Sequence, residues 1–198
     1  MAENRRGRRP GPSTTRDAIL VAARDRFSAV GYDRARLRDV AAAAGVDVAM
    51  VSYHFGSKDA LFAAAMEMPV SMPGLIDDVL AQGGIDDFAA RILRRMLDVW
   101  DDEHVGGALV AMLRTAMSHE PTAEALRGFV RKEILDRIAG RLGTPDADER
   151  SVFFGSQLIG LLLYRYVLRV EPLASMEPEA IVAAMSPAMQ HYLTGPRS

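Results

Sequence analysis

The 198-residue chain contains no cysteine. Disulfides, thiolate metal sites and thiol redox sensing are therefore excluded. Its four histidines (His54, His104, His119 and His191) are scattered, without the spacing that ligates a metal. No Gly-x-Ser-x-Gly elbow, phosphate-cradling glycine loop or metalloprotease helix occurs. The acidic run Asp101-Asp102-Glu103 beside His104 reads as a solvated helix end rather than a cation site. These absences predict a non-enzyme with no cofactor and no metal. The longest apolar stretch, around Val152 to Val170, is interrupted by Gln157, Arg165 and Arg169 and makes a poor membrane span. The arginine-rich N-terminus is not followed by an apolar signal-peptide core. Cytoplasmic placement, away from membranes, is the expectation. No run shows apolar/polar alternation bounded by turn signals, so the chain reads as all-α.

What is present is a charge asymmetry. The net charge of −2 divides unevenly. Residues 1–60 hold eleven basic and seven acidic side chains, a balance of +4, and the remainder holds thirteen and nineteen, a balance of −6. The first part suits a polyanion and the second would repel one. The basic part opens with an arm, residues 1–13, carrying Arg5, Arg6, Arg8 and Arg9 among glycines and prolines. Such an arm has nothing to bury and reads as disordered alone, but similar arms reach along DNA or into a narrow minor groove. Thr14-Thr15-Arg16-Asp17 fits a capping box opening a first helix, with the apolar stripe Ile19, Ala23, Phe27 and Val30 and an end at Gly31.

Residues Gly31 to Leu61, GYDRARLRDVAAAAGVDVAMVSYHFGSKDAL, hold two short helical patterns separated by a glycine turn. That is the spacing of a DNA-reading helix-turn-helix. Leu37, Val40 and Ala41 share one face before Gly45 breaks the helix. Asp47 can cap the next helix, in which Val48, Val51 and Phe55 form the expected inward stripe. Ala49, Met50, Tyr53 and His54 are then expected to point outward together, a face suited to contact rather than to water alone. Ser57 caps a further helix, with Asp59 well placed against its dipole.

This stretch resembles the N-terminal DNA-binding domain of the tetracycline-repressor (TetR) family of bacterial transcriptional regulators. The residues that carry the resemblance are Gly31-Tyr32, Asp39-Val40-Ala41, Gly45-Val46, Tyr53-His54-Phe55 and Ser57-Lys58-Asp59-Ala60-Leu61. One departure stands out: the family usually opens its second helix with a threonine or serine pair, where this chain has Ala35-Arg36. The resemblance implies base or phosphate contacts at Ala49, Met50, Tyr53 and His54 and a phosphate contact at Lys58. With Asp47, Arg36, Arg38 and the arm residues Arg8 and Arg9, these make up the expected DNA-contacting set. The chemistry agrees: alanine and methionine pack on thymine methyls, and tyrosine, histidine and lysine donate to phosphates. The implied architecture is a three-helix DNA-binding domain over residues 14–56, then a helical effector-binding and dimerisation domain over 57–198.

Beyond the proline breaks at Pro69 and Pro73, helical patterns run at about 85–103, 105–118, 121–141, 145–170 and 177–193, the last with Pro187 in its middle. Thr144-Pro145-Asp146 reads as a helix start. The run Val152 to Tyr166 is apolar nearly all round and needs cover on two sides. A homodimer through this helix and the last one is the preferred reading, with Phe154, Gly155, Leu158, Leu162, Arg165 and Met189 at the interface. A two-fold axis would then set two reading helices about one DNA turn apart and call for a near-palindromic operator in double-stranded DNA. Met66, Met96, Trp100, Met112, Met117, Phe129, Phe153, Gln157 and Tyr164 are the candidates for a pocket holding a small lipophilic effector. The function expected is a homodimeric regulator, a repressor released by that effector. The alternative is a helical small-molecule binding protein that has lost DNA recognition.

Overall fold

The computed structural model describes residues 12–196, which form helices and connecting turns with no strand among them. Arg8 and Arg9 lie outside the described residues.

Helix α1 (Pro12–Arg34) is already under way two residues before the Thr14 cap expected from sequence. Ile19, Ala23 and Phe27 are fully buried along its length, as the stripe implied. Gly31 interrupts it at φ 75°, and a last turn follows to Arg34. Helix α2 (Leu37–Ala44) ends at Gly45, whose φ of 69° and ψ of 31° place it in the left-handed region that closes a helix with least strain in glycine. Helix α3 (Val48–Phe55) follows, then α4 (Lys58–Ala65), capped by the Ser57 hydroxyl accepting from the Ala60 N–H at 3.3 Å.

The chain breaks between Met66 and Ser71. Helix α5 (Met72–Ala81) restarts with Ser71 as cap and Pro73 in its first turn, where a missing N–H breaks no hydrogen bond. Then come α6 (Phe88–Asp101), α7 (Glu103–Ser118) and α8 (Glu120–Phe129). A π-helical turn (Val130–Leu135) joins α8 to α9 (Asp136–Leu142), so the single pattern expected at 121–141 is two helices with a widened turn between them. Helix α10 (Ala147–Leu162) starts later than Thr144-Pro145 suggested. Asp146 occupies the cap position and forms an ion pair with Arg150 at 2.8 Å, which leaves its carboxylate to the side chains and not to the helix end. A second π-helical turn (Leu163–Val167) ends α10, and α11 (Pro178–Thr194) carries Pro187 inside it.

The effector half is built around α6, whose Phe88, Ile92, Leu93 and Leu97 are essentially unexposed. It packs on α11 through Ile181, Val182, Met189 and Leu193, and on α10 through Phe154, whose ring lies 5.7 Å from that of Phe88. The two halves meet where α8 lies along α1. Phe27, Tyr32, Phe62 and Phe129 form an aromatic cluster there, with Phe62 stacked 4.7 Å from Phe129 and edge-on to Tyr32 at 5.1 Å. The Tyr32 hydroxyl donates to Glu133 Oε1 at 2.8 Å. Arg137 in turn spans Glu133 (3.2 Å) and Asp77 (2.9 Å), tying α1, the π-helical turn, α9 and α5 together. Burial pushes the Tyr32 hydroxyl well above its ordinary pKa, and its bond to Glu133 adds to this.

Four residues expected on a dimer surface belong to the subunit's own core. Phe154, Leu162 and Met189 are buried, and Arg165 is 8% exposed with its guanidinium turned to Leu173, Met176 and Asp101. Gly155 is small for an internal reason, since a Cβ there would sit 2.9 Å from Leu135. Leu158 is half-buried against the core. The outer face of α10 is offset from the expected one: Val152, Phe153, Ile159, Tyr164 and Leu168 are the exposed apolar residues, with Tyr192 of α11 5.9 Å from the Phe153 ring. Periodicity in a helix apolar all round cannot say which side meets its own domain.

Candidate nucleic-acid interface

Helix α3 is two turns long and is anchored by Val51, fully buried, and by Phe55, half-buried beneath the guanidinium of Arg16 at 5.2 Å. Its start is fixed by Asp47, whose carboxylate accepts from the Ala49 N–H at 2.7 Å. Asp47 is thereby committed to shaping the helix rather than to meeting DNA. Only the second turn reaches the core. Val48, expected inside, is 44% exposed because the first turn projects beyond the cover of α2. The outer face is therefore Val48, Ala49, Met50, Ser52 and Tyr53, with Tyr53 81% exposed. Val48 and Ser52 were missed as members of this face; their spacing of four from one another, beside Ala49 and Tyr53, is the signal that could have found them.

His54 departs from the expectation. It is half-buried, its Nε2 is enclosed without a partner, and its ring meets Tyr53 edge-on at 5.2 Å. Only the opposite edge of the imidazole is left to reach a phosphate. Lys58 begins α4 with its ammonium 4.4 Å from the Tyr32 ring centroid and donating to the Asp33 carbonyl at 3.2 Å. Burial pulls its pKa below the usual lysine value, against the pull of Asp33 and Glu133. An ammonium has three N–H donors, so one bond to Asp33 leaves others for an oxyanion.

On α2, Arg26 holds Asp39 at 3.0 Å, while Arg38 lies 3.7 Å from the same carboxylate with most of its side chain in water. So loose and exposed a pair contributes little and exchanges readily for a phosphate. Arg36 is exposed at the start of α2 and makes no capping bond, and Ala35 beside it is buried. The structure thus brings Arg36, Arg38, Ala49, Met50, Tyr53 and one edge of His54 to the outside of a single helix pair, with Lys58 at its margin.

The residues expected to line a pocket are dispersed. Phe129 belongs to the aromatic cluster, Met96 is core, and Met66 and Met112 pack partly buried against the core. Met117 is largely exposed, Gln157 half-buried, and Phe153 and Tyr164 lie on the outer face of α10. Trp100 alone of the nine lines a cleft, one of about 670 Å³ bounded by the end of α6, the start of α7, the π-helical end of α10 and the loop before α11. Arg114 and Arg169 line it too and were missed, being ordinary surface arginines in sequence.

A basic N-terminal head with a capped, outward-facing second helix, carried on an all-α body, defines a helix-turn-helix DNA-reading protein. Comparison with known proteins makes this specific. Residues 19–65 match the model for bacterial regulatory proteins of the tetR family, and residues 86–193 match the tetracyclin repressor-like C-terminal domain. A TetR-family regulator from Streptomyces coelicolor A3 is 36% identical over 94% of this chain and 98% of its own, with a TM-score of 0.47. A transcriptional regulator from Rhodococcus sp. Rha1 is 24% identical, over 91% of this chain and 96% of its own (TM-score 0.46). A TetR-family regulator from Mesorhizobium loti MAFF303099 is 16% identical, over 96% and 98% (TM-score 0.51), and shares the fold. No curated protein gives a match. The chain belongs to the TetR family of transcriptional regulators. It is a DNA-binding regulator and not an enzyme. No helix among the described residues is long and apolar enough to cross a membrane.

Proposed function

We propose that the protein is a homodimeric repressor that holds a near-palindromic operator and releases it when a small effector binds the C-terminal half. The observation that carries this is the outer face of α3, where a fixed helix presents Tyr53 and its neighbours with nothing in the subunit covering them. The uncovered apolar face of α10 and α11 supports the two-fold pairing, and a two-fold would set two α3 helices on successive major-groove faces. Affinity would come mainly from phosphate neutralisation by Arg36, Arg38, Lys58 and the arm, with the α3 face reading bases. Release requires about 1–3 kcal/mol of coupling between effector and DNA. The head is held by α4 in sequence and by the α1–α8 contact with its Tyr32–Glu133 bond in space, so an effector that shifts α8 relative to α1 re-aims α3.

The test is a titration of DNA flanking the protein's own gene with the parent, Tyr53→Ala and Arg38→Ala. The expected result is tight parental binding, weakened on the order of tenfold or more in each variant. Variants that bind as well as the parent would overturn the assignment. The uncapped start of α2 at Arg36 favours one second reading, a small-molecule binding protein whose head no longer reads DNA. A parent that binds no operator fragment while still binding small ligands would establish it.

A further inference from the structure

The cleft at the end of α6 has features that no part of the regulator reading uses. Two of its wall residues are nine-tenths buried and carry N–H groups without acceptors: Trp100 (5% exposed) at Nε1 and Arg165 (8% exposed) at Nε. Buried donors in native proteins are nearly always paired, so both point to an acceptor from outside the chain.

The charges lining the cleft sort into committed and free. Arg165 is tied to the Leu173 carbonyl (2.9 Å), the Met176 carbonyl (2.8 Å) and Asp101 (3.5 Å). Asp102 is spent capping α7, where it accepts from the N–H groups of His104 and Val105 at 3.0 Å each. Glu171 accepts from the Ser175 hydroxyl at 2.7 Å. Arg114 and Arg169 have no partner among the described residues, and Glu103 faces them as the one uncommitted acid. The balance of free groups is one surplus positive charge. Arg169 also holds a φ of 53°, a region that non-glycine residues seldom occupy and that clusters at ligand sites. The volume falls within the roughly 300–1,000 Å³ typical of small-molecule sites.

We propose that this cleft binds a small organic monocarboxylate, with Arg114 and Arg169 holding the carboxylate and the Trp100 N–H donating to it. The inference rests on the reading that the chain responds to an effector, and it replaces the lipophilic ligand expected from sequence with an anionic one. An arginine pair suits it, because guanidinium–carboxylate bonds are charge-assisted and directional.

Trp100 is the chain's single tryptophan, so its fluorescence reports on this cleft alone. Full-length protein is titrated with benzoate and octanoate and with their neutral amides, followed by tryptophan emission and by calorimetry. A saturable response to a carboxylate with none to its amide is expected, weakened on the order of tenfold or more in Arg114→Gln/Arg169→Gln. Equal response to the amides, no saturation with either carboxylate, or unchanged affinity in the double variant overturns the proposal. Operator titration without ligand is run on the same preparations. Operator binding without carboxylate binding sinks the cleft assignment alone. Carboxylate binding without operator binding sinks the regulator reading and leaves the cleft standing.

Discussion

Phe153→Ala tests the pairing surface on α10. A phenylalanine buries about 150–250 Å² when fully covered. With 46% of Phe153 still exposed, a partner that covered it would remove roughly 70–115 Å² from water, worth about 2–3 kcal/mol per copy at ~25 cal/mol per Å². A two-fold interface counts the residue twice, and alanine keeps part of the contact. The expected loss is about 3–4 kcal/mol, a dimer dissociation constant raised on the order of 10²–10³-fold. Sedimentation equilibrium over a wide protein range measures it directly. The adjacent Phe154→Ala is the control. Phe154 is wholly inside the subunit, so its loss costs about 3–5 kcal/mol of folding stability and reads out in thermal denaturation. If Phe153→Ala dissociates no more readily than the parent, or the parent is already monomeric at micromolar concentration, the reasoning about this face is refuted.

Three further outcomes are expected. Asp47→Ala removes the acceptor for the Ala49 N–H, costs about 1 kcal/mol, and lowers operator affinity as α3 frays; denaturation and DNA titration measure the two effects. Tyr32→Phe deletes the bond to Glu133, which keeps Arg137, and lowers stability by about 1.5–2 kcal/mol, a melting shift of about 3–8 °C by calorimetry. The backbone N–H groups of Val105 and His104 hold the Asp102 carboxyl below the usual carboxylate range, so its contribution is present above that range and is lost as pH falls through the lower folded value. Asp102→Asn should therefore melt with a shallower dependence on acid pH than the parent, in a series of melts from neutral to strongly acidic buffer.

The helical class, the glycine turn at Gly45 and the caps at Asp47 and Ser57 were all legible in sequence, because each depends on local backbone chemistry. So was most of the outward face of α3, since the burial of Val51 fixes what must lie opposite. The apolar residues of α10 were harder. Phe153 and Phe154 are chemically alike and adjacent, and only the position of α6 and α11 decides that one is core and the other surface. His54 and Lys58 turned partly inward for a similar reason: the groups they meet come from other parts of the fold, Lys58 resting on Tyr32 and Asp33 at the end of α1. The cleft at Trp100 joins residues up to 74 positions apart along the chain, from Trp100 to Ala174, and no spacing rule connects them.

The π-helical turn at Val130–Leu135 has a consequence for how the molecule tolerates change. A widened turn holds one residue more than an α-turn and so shifts the angular phase of everything after it. Upstream, that phase aims Phe129 at the aromatic cluster under the DNA-reading head; downstream, it aims Leu135 at Gly155 and Ile138 at the core. Deleting one residue within the turn would restore a regular helix and swing α9 about 100° around its axis. Length here is thus a gear setting between the two halves, stricter than the identity of any side chain within it.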